Sequence, residues 1–508
     1  MRLFPGMNSF KCELSAFLFI SIHICLFTML CSQSNSPKNV SRLKNAGLLR
    51  TSTIPIGLGE HGYVVRQDAS DPDWLSLETW ITLLPYLAFY LTFSCSLRII
   101  LPNKYGKFGQ VMRIVFCLIF FLYYVGLALV VDLFLLIGLG LSLGFLIRRR
   151  QLFIWLVFCG ILGYSNDLLH SSLFQNQSIQ IANLTGRIRL LTWHSILFRA
   201  GRMICWYTFW SAVLCFIYPN ALMWYAESWH VPENHPAVDS WRARGLAIHD
   251  GVLCFAGFVS AIHFYFLHLF FYGIPTVFAD LEQYLTGGGY SLPKDFQAVS
   301  SGKRGSNVNT PTVSKSAQLC LVPAPPSCVY HIVLFSEMWR TFDRGLYGFI
   351  LRHIYFPLRG AFNSDSNNSK FFRFVLGFTS PFLFVLLFHS INQGNCVWAA
   401  FNLFQVASER TVKRLQRHSE FGRMLGQRFS PRAFEWLSAF VRTVSWFLSV
   451  LAFVFFRFGF HIGLQFAQHV AFTYGAVLVF VDLFCAQFVI AKIKTIWNYP
   501  RFPVGFNP

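Results

Sequence analysis

Phe384-Val385-Leu386-Leu387-Phe388-His389-Ser390 closes the apolar run Phe371–His389, and how that run is read decides the fold. The run approaches the ~20 residues an α-helix needs to cross hydrocarbon, yet it ends on an imidazole. An ionisable group at bilayer depth is expensive, so it counts as a functional candidate until a structural partner explains it. Working outward, the second such group is Asp343, in Met338-Trp339-Arg340-Thr341-Phe342-Asp343-Arg344-Gly345-Leu346. Two groups of this kind beside basic and aromatic residues point to a reaction buried in a membrane.

Composition supports the membrane reading. The chain has 508 residues, 54% hydrophobic, 18% aromatic and 13% charged, and its mean hydropathy is +0.47. Soluble domains carry about 25% charged residues. Further apolar runs of spanning length are Glu13–Cys31, Leu75–Cys95, Ile114–Val131, Ile204–Tyr225, Val252–Phe271, Trp436–Phe458 and Ala467–Ile490. Val111–Leu146 is too long for one helix, and Asp132 with Gly138, Gly140 and Gly144 offers a place to break it. The expected fold is all-α, a polytopic transmembrane bundle of about ten to twelve helices with re-entrant or interfacial segments. The first run is read as an uncleaved helix or anchor, since its apolar stretch is long and no small-x-small cleavage site follows.

Net charge is +20, from 42 Lys+Arg against 22 Asp+Glu. The excess gathers between spans, at Arg98–Arg113, Arg148-Arg149-Arg150, Arg187–Arg202 and Arg410–Arg432. Short basic loops stay cytoplasmic and meet anionic lipid headgroups. No nucleic-acid motif accompanies the charge, so nucleic acid is not an expected partner. The 13 cysteines are scattered and form no CxxC or zinc spacing, which argues against a disulfide framework or a zinc site.

Four regions follow. Residues 1–110 hold the anchor, a polar stretch and the first spans; within them Gln33–Asp73 reads as an exposed loop or short amphipathic region. Residues 111–286 are core helices. Residues 287–326 open with a Gly-Gly-Gly run, continue through Ser301–Ser316 and end in Pro323-Ala324-Pro325-Pro326. That composition cannot bury enough surface to order itself and reads as a flexible insertion. Residues 327–508 carry the chemistry-bearing core, with Gly345–Pro357 too short to span and suited to the interface or to re-entry.

Taken singly, the candidates have plain structural explanations. His389 could be a polar plug bonded to a neighbouring carbonyl, the reading kept for His263, His268, His461 and His469. Asp343 could cap a helix before Gly345-Leu346, or pair with Arg340 or Arg344. Trp339 suits a core or interfacial aromatic, and Cys328 an inert thiol. His389 stands out because a polar loop, Ser390–Asn395, follows it directly, and then the apolar Cys396-Val397-Trp398-Ala399-Ala400-Phe401-Asn402.

In order, Tyr272-Gly273-Ile274-Pro275, Pro326-Ser327-Cys328-Val329, Met338-Trp339-Arg340, Phe342-Asp343-x-Gly345-Leu346, Tyr355-Phe356-Pro357, Phe388-His389, Cys396–Asn402 and Phe429-Ser430-Pro431-Arg432 resemble the Hedgehog acyltransferase branch of the membrane-bound O-acyltransferase superfamily. The resemblance is clear over residues 250–460. It implies a helical bundle around an intramembrane tunnel, in which palmitate passes from palmitoyl-CoA to the N-terminal cysteine amine of a Hedgehog-type secreted protein. By resemblance, Asp343 and His389 are the catalytic pair, Trp339, Arg340 and Asn402 line the substrate path, and Cys328 matches a haem b ligand. Long-chain acyl-CoA and membrane lipids are the other implied partners, and some basic loops would steer the polyanionic acyl-CoA. A multi-pass location in the endoplasmic reticulum or Golgi membrane follows from where such substrates meet. One departure stands out: the branch's Trp-His-Gly-Gly is here Phe388-His389-Ser390-Ile391. The glycines that would set the backbone path after His389 are missing.

An α-amine has a reference pKa of about 7.7–8.0, so a useful minority is neutral near pH 7. Asp343 is expected to take or orient the amine proton, and His389 to donate to the thioester oxygen, although the sequence alone also allows the roles to be exchanged. Other readings are an acyltransferase acting on a serine hydroxyl or a lysophospholipid, or a non-catalytic lipid-binding regulator. A transporter would show inverted repeats or paired broken helices, which are not evident between the two halves.

Overall fold

The computed structural model describes residues 9–54, 63–75, 77, 84–100, 187–190, 192–225, 250–286, 317–320, 325–327, 329, 335–360, 367–417, 430–471 and 474–496, with isolated residues between 108 and 123. In chain order the elements are α1 (Ser9–Ser34), α2 (Pro37–Asn45), β1 (Leu49–Ile54), β2 (Tyr63–Asp68), α3 (Leu84–Ile100), β3 (Arg187–Leu190), α4 (Trp193–Phe216), α5 (Pro219–Tyr225), α6 (Asp250–Thr286) and β4 (Ala317–Cys320). After these come α7 (Phe335–Thr341), α8 (Arg344–Ile350), a π-helical turn Leu351–Tyr355, α9 (Phe356–Gly360), α10 (Asn367–Phe388), α11 (Gln393–Arg417), α12 (Pro431–Phe466), a second π turn Ala467–Ala471 and α13 (Tyr474–Ile496). The fold is a polytopic helical membrane architecture with, among the described residues, two small two-stranded antiparallel sheets, β1–β2 and β3–β4.

By length and apolarity, spans are available at Ser15–Ser34, Gly251–Glu282 and Trp436–Phe466, and as a bent pair, α4 with α5, turning by 46°. Val375–Phe388 and Ala476–Ile490 are shorter apolar helices. In the run expected at Leu75–Cys95, residues 72–75 and 77 are helical, and α3 covers Leu84–Ile100. Asp132 and the glycines proposed to break Val111–Leu146 lie outside the described residues, as do Arg148-Arg149-Arg150 and most of the 287–326 insertion. β4 falls inside that insertion and pairs with β3, Arg187 opposite Cys320.

α6 is the axis of the bundle: 72% of its spanning window is buried, against 11% for α1 at the periphery. Lipid tails are as apolar as leucine, so helices associate in a membrane through close packing and interhelical hydrogen bonds rather than through the hydrophobic effect. Both devices are present. A Cβ on Gly257 of α6 would stand 2.9 Å from the ring of Phe466, and one on Gly273 would strike Met203 Sδ. Ser445 and Ser449 of α12 both donate to Gln405 Oε1 of α11, at 3.0 and 3.1 Å. α1 lies along α13, where His23 Nδ1 meets Asp482 Oδ2 at 3.0 Å.

Within Gln33–Asp73, expected as an exposed loop or short amphipathic region, α2 is a short helix burying Asn39, Val40 and Leu43, and Asp68 and Asp71 turn inward. Asp68 Oδ2 accepts the backbone N–H groups of Asn220 (2.9 Å) and Ala221 (3.0 Å), satisfying donors that the start of α5 leaves open. Asp71 reaches the centre of the bundle, where Oδ2 meets His263 Nε2 at 2.9 Å and Oδ1 accepts from Arg457 Nη2 at 2.6 Å. Trp210 Nε1 donates to His263 Nδ1 at 2.8 Å. An indole can only donate, so the His263 proton sits on Nε2 and points at Asp71. α12 breaks at Gly459, whose φ of 86° and ψ of 177° lie in a region open essentially only to glycine.

Candidate functional site

Asp343 lies in the two-residue break between α7 and α8. It caps α8: Oδ1 accepts Leu346 N–H at 2.9 Å, the helix-cap role considered from sequence. The cap does not exhaust the carboxylate. Oδ2 accepts the Tyr272 hydroxyl of α6 at 2.8 Å. Neither arginine beside it forms an ion pair with it among the described residues. Arg340 turns back along α7, donating from Nε to Ser336 O at 3.0 Å, and Arg344 Nη2 donates to Ser327 Oγ at 2.7 Å. α7 is tied to α11 through Ser336, whose N–H and hydroxyl both donate to Glu409, at 2.8 and 2.7 Å.

His389 follows the last residue of α10 and keeps one helical bond, its N–H donating to Val385 O at 3.0 Å. Its ring stands edge-on to three aromatics, with centroids 5.0 Å from Phe388, 5.6 Å from Trp398 and 5.0 Å from Phe456. Among the described residues no side chain or carbonyl bonds to the imidazole nitrogens, so the polar-plug explanation has no bond behind it.

No direct bond joins Asp343 to His389, and an unbroken aromatic path connects their surroundings. Phe456 contacts Phe264 (6.0 Å between centroids), and Phe264 stacks on Phe342 at 5.8 Å and 8°, next in the chain to Asp343. His268 sits in this path, 5.0 Å from Phe342 and 6.4 Å from Tyr272. It donates from Nδ1 to Phe264 O at 3.0 Å, the carbonyl-bonded role expected for it.

The other candidates divide. Trp339 donates from Nε1 to Asn402 Oδ1 at 3.2 Å, Asn402 Nδ2 donates to Trp398 O at 2.6 Å, and the Trp339 and Trp398 rings lie 6.0 Å apart. Trp339 and Asn402 therefore adjoin the His389 cage through Trp398. Arg340 is exposed and does not join them. Cys328 lies outside the described residues. Among the described residues no group of three or more His, Cys, Asp and Glu could hold a metal ion. Tyr272 carried no assigned role in the sequence, because its partner is 71 positions away; Asn395 figured only as the end of the polar loop after His389, and Phe456 only inside the apolar run Trp436–Phe458.

Residues 196–458, just over half the chain, match a family model described as MBOAT, membrane-bound O-acyltransferase family. The stretch contains Tyr272, Asp343, His389 and Asn402. Among curated proteins the chain is 24% identical over 267 residues to "Protein-cysteine N-palmitoyltransferase HHAT" of Mus musculus, covering 52% of this chain and 41% of that protein. It is 29% identical over 144 residues to "Protein-cysteine N-palmitoyltransferase Rasp" of Drosophila melanogaster, covering 28% of each. The matched stretch spans less than half the length of either relative.

Proposed function

The chain belongs to the membrane-bound O-acyltransferase family, and we propose that within it this protein transfers palmitate from palmitoyl-CoA to the N-terminal cysteine amine of a Hedgehog-type secreted protein. The observation that carries this reading is the pairing of two unlike polar groups on one aromatic path. Asp343 is a carboxylate with both oxygens oriented by donors, and His389 is an imidazole whose nitrogens are unengaged among the described residues. The names of both relatives support the acceptor and the acyl group.

In the proposed reaction the acceptor nitrogen forms a bond to the thioester carbon and the C–S bond breaks, giving an amide and the CoA thiol. Each carboxylate oxygen has two acceptor sites. Tyr272 and Leu346 N–H take one apiece, which leaves Asp343 able to accept the proton the amine loses. His389 donates an N–H to the thioester oxygen as negative charge develops there. The surrounding Phe388, Trp398 and Phe456 exclude water, so the donor works at low dielectric, where one such bond is worth ~10²–10³ in rate. Trp339 and Asn402, joined to the same cage, are proposed to line the acyl path, and the exposed Arg340 to meet the CoA end. A multi-pass position in the endoplasmic reticulum or Golgi membrane is proposed with this chemistry. Haem b has no support among the described residues, and no step passes through it.

The test is turnover of purified protein with palmitoyl-CoA and a peptide bearing an N-terminal cysteine. His389→Ala and Asp343→Asn are each expected to remain folded and to lose transfer; near-wild-type turnover in either would overturn the pair. Transfer to a serine peptide or lysophospholipid in place of the cysteine peptide would move the acceptor to a hydroxyl. Absence of both transfer and acyl-CoA hydrolysis in the wild type would leave a lipid-binding regulator.

A further inference from the structure

The backbone that carries His389 turns in a way its sequence disfavours. Ser390 has φ 74°, the one non-glycine residue with positive φ among those described. A Cβ meets the backbone in that region, so a serine stays there only when its surroundings hold it. The Ser390 N–H reaches Leu387 O at 3.4 Å, and among the described residues one side chain bonds to the turn. Asn395, in the first turn of α11 and 4% exposed, donates from Nδ2 to the carbonyls of both His389 (2.7 Å) and Ser390 (2.9 Å). Its own N–H is capped by Asn392 Oδ1 at 2.8 Å, which fixes where the amide points.

The clamp is in turn set against α12. A Cβ on Gly394 would lie 2.5 Å from Phe455 O and 3.1 Å from Phe460 N, so only glycine lets α11 start this close to the break at Gly459. Phe456, on the same stretch of α12, and Trp398, one turn beyond Asn395 on α11, are the rings that flank the imidazole. The elements that fix the His389 backbone therefore also supply its cage.

We propose that Asn395 is a positioning residue for the reaction: by bridging two consecutive carbonyls it holds Ser390 in the left-handed turn and so aims His389. The proposal rests on the reading of His389 as the oxyanion donor. It assigns to one amide the backbone control that a glycine after the histidine would otherwise give.

The experiment measures palmitoyl transfer to the N-terminal-cysteine peptide by full-length protein. The variants are Asn395→Ala, Asn395→Asp, Ser390→Gly, the double variant Ser390→Gly/Asn395→Ala, and His389→Ala. Asn395→Asp keeps the shape and removes both N–H donors, so it should behave as Asn395→Ala does. Each is expected to lower kcat about tenfold or more with the KM for palmitoyl-CoA unchanged, because acyl-CoA binding does not depend on where the imidazole points. Glycine takes the left-handed turn without a Cβ penalty, so Ser390→Gly should restore much of the kcat lost in Asn395→Ala. A purely packing role for Asn395 would give no such recovery. Unchanged kcat in both Asn395 variants overturns the proposal, and so does a loss of activity or folding that Ser390→Gly leaves unrelieved. An active His389→Ala would retire the reading of His389 itself, whereas an inactive His389→Ala beside fully active Asn395 variants sinks only the clamp.

Discussion

Two histidine–aspartate constellations occupy this bundle, one buried and one half-buried, and they differ in what is left unengaged among the described residues. In the first, Asp71 and His263 touch directly, Arg457 and Trp210 take the remaining positions, and both residues are almost fully buried. In the second, Asp343 and His389 do not touch; each is oriented, and each keeps capacity for a further partner. An ionisable pair among apolar helices stands out in both. What would separate a fastener from the proposed reactive site is the unfilled hydrogen-bonding capacity, since a saturated pair has nothing to offer a substrate.

The largest effect that would test this contrast is Asp71→Ala. It removes the carboxylate that His263 and Arg457 share, leaving Arg457 with Asp73 alone at 3.5 Å, and breaking a buried pair costs about 3–5 kcal/mol. A lower melting temperature is expected, with kcat per folded molecule unchanged; a lost kcat at full stability would collapse the distinction. His389→Ala should give the mirror image, a ~10²–10³ loss of transfer with the melting temperature retained. Next in size is Tyr272→Phe, which keeps the ring and removes one donor to the carboxylate. Hydrogen bonds to charged groups are worth ~1.5–3 kcal/mol, so kcat should fall about tenfold or more. In an Asp343→Asn background Tyr272→Phe should cost little further, and full additivity in that double-mutant cycle would show that the hydroxyl does not act through Asp343. Smallest is Ser390→Gly, expected to raise stability by ~1 kcal/mol by relieving the left-handed turn; a drop in melting temperature would mean that Ser390 is not strained.

Elements whose causes are local were legible in the sequence. Apolar length marked α1, α4 with α5, α6, α10 and α12, and the cap at Asp343 followed from its place before Gly345-Leu346. What was not legible depends on partners far apart along the chain. Gln33–Asp73 reads as an exposed loop or short amphipathic region because it is polar with scattered Pro and Gly, yet Asp68 pairs across 152 positions, and Asp71 across 192 and 386. Tyr272 sat inside a quoted motif, but only the packing of α6 against the α7–α8 break gives its hydroxyl a target. The missing glycines after His389 signalled a different backbone path. The structure keeps a glycine-like turn at Ser390 and adds Asn395, a compensation between two residues that no single motif position reveals.

His23 and Asp482 are 459 positions apart, and each belongs to an apolar helix. The ribosome releases α1 long before α13 exists, so throughout synthesis the imidazole waits without its carboxylate. When α13 arrives, its aspartate is costly to leave facing lipid, and the partner already in place gives it somewhere to go. The seam between α1 and α13 is therefore among the last to close. A chain halted before Asp482 would leave an open bundle, recognisable to quality control by a polar stripe with no mate.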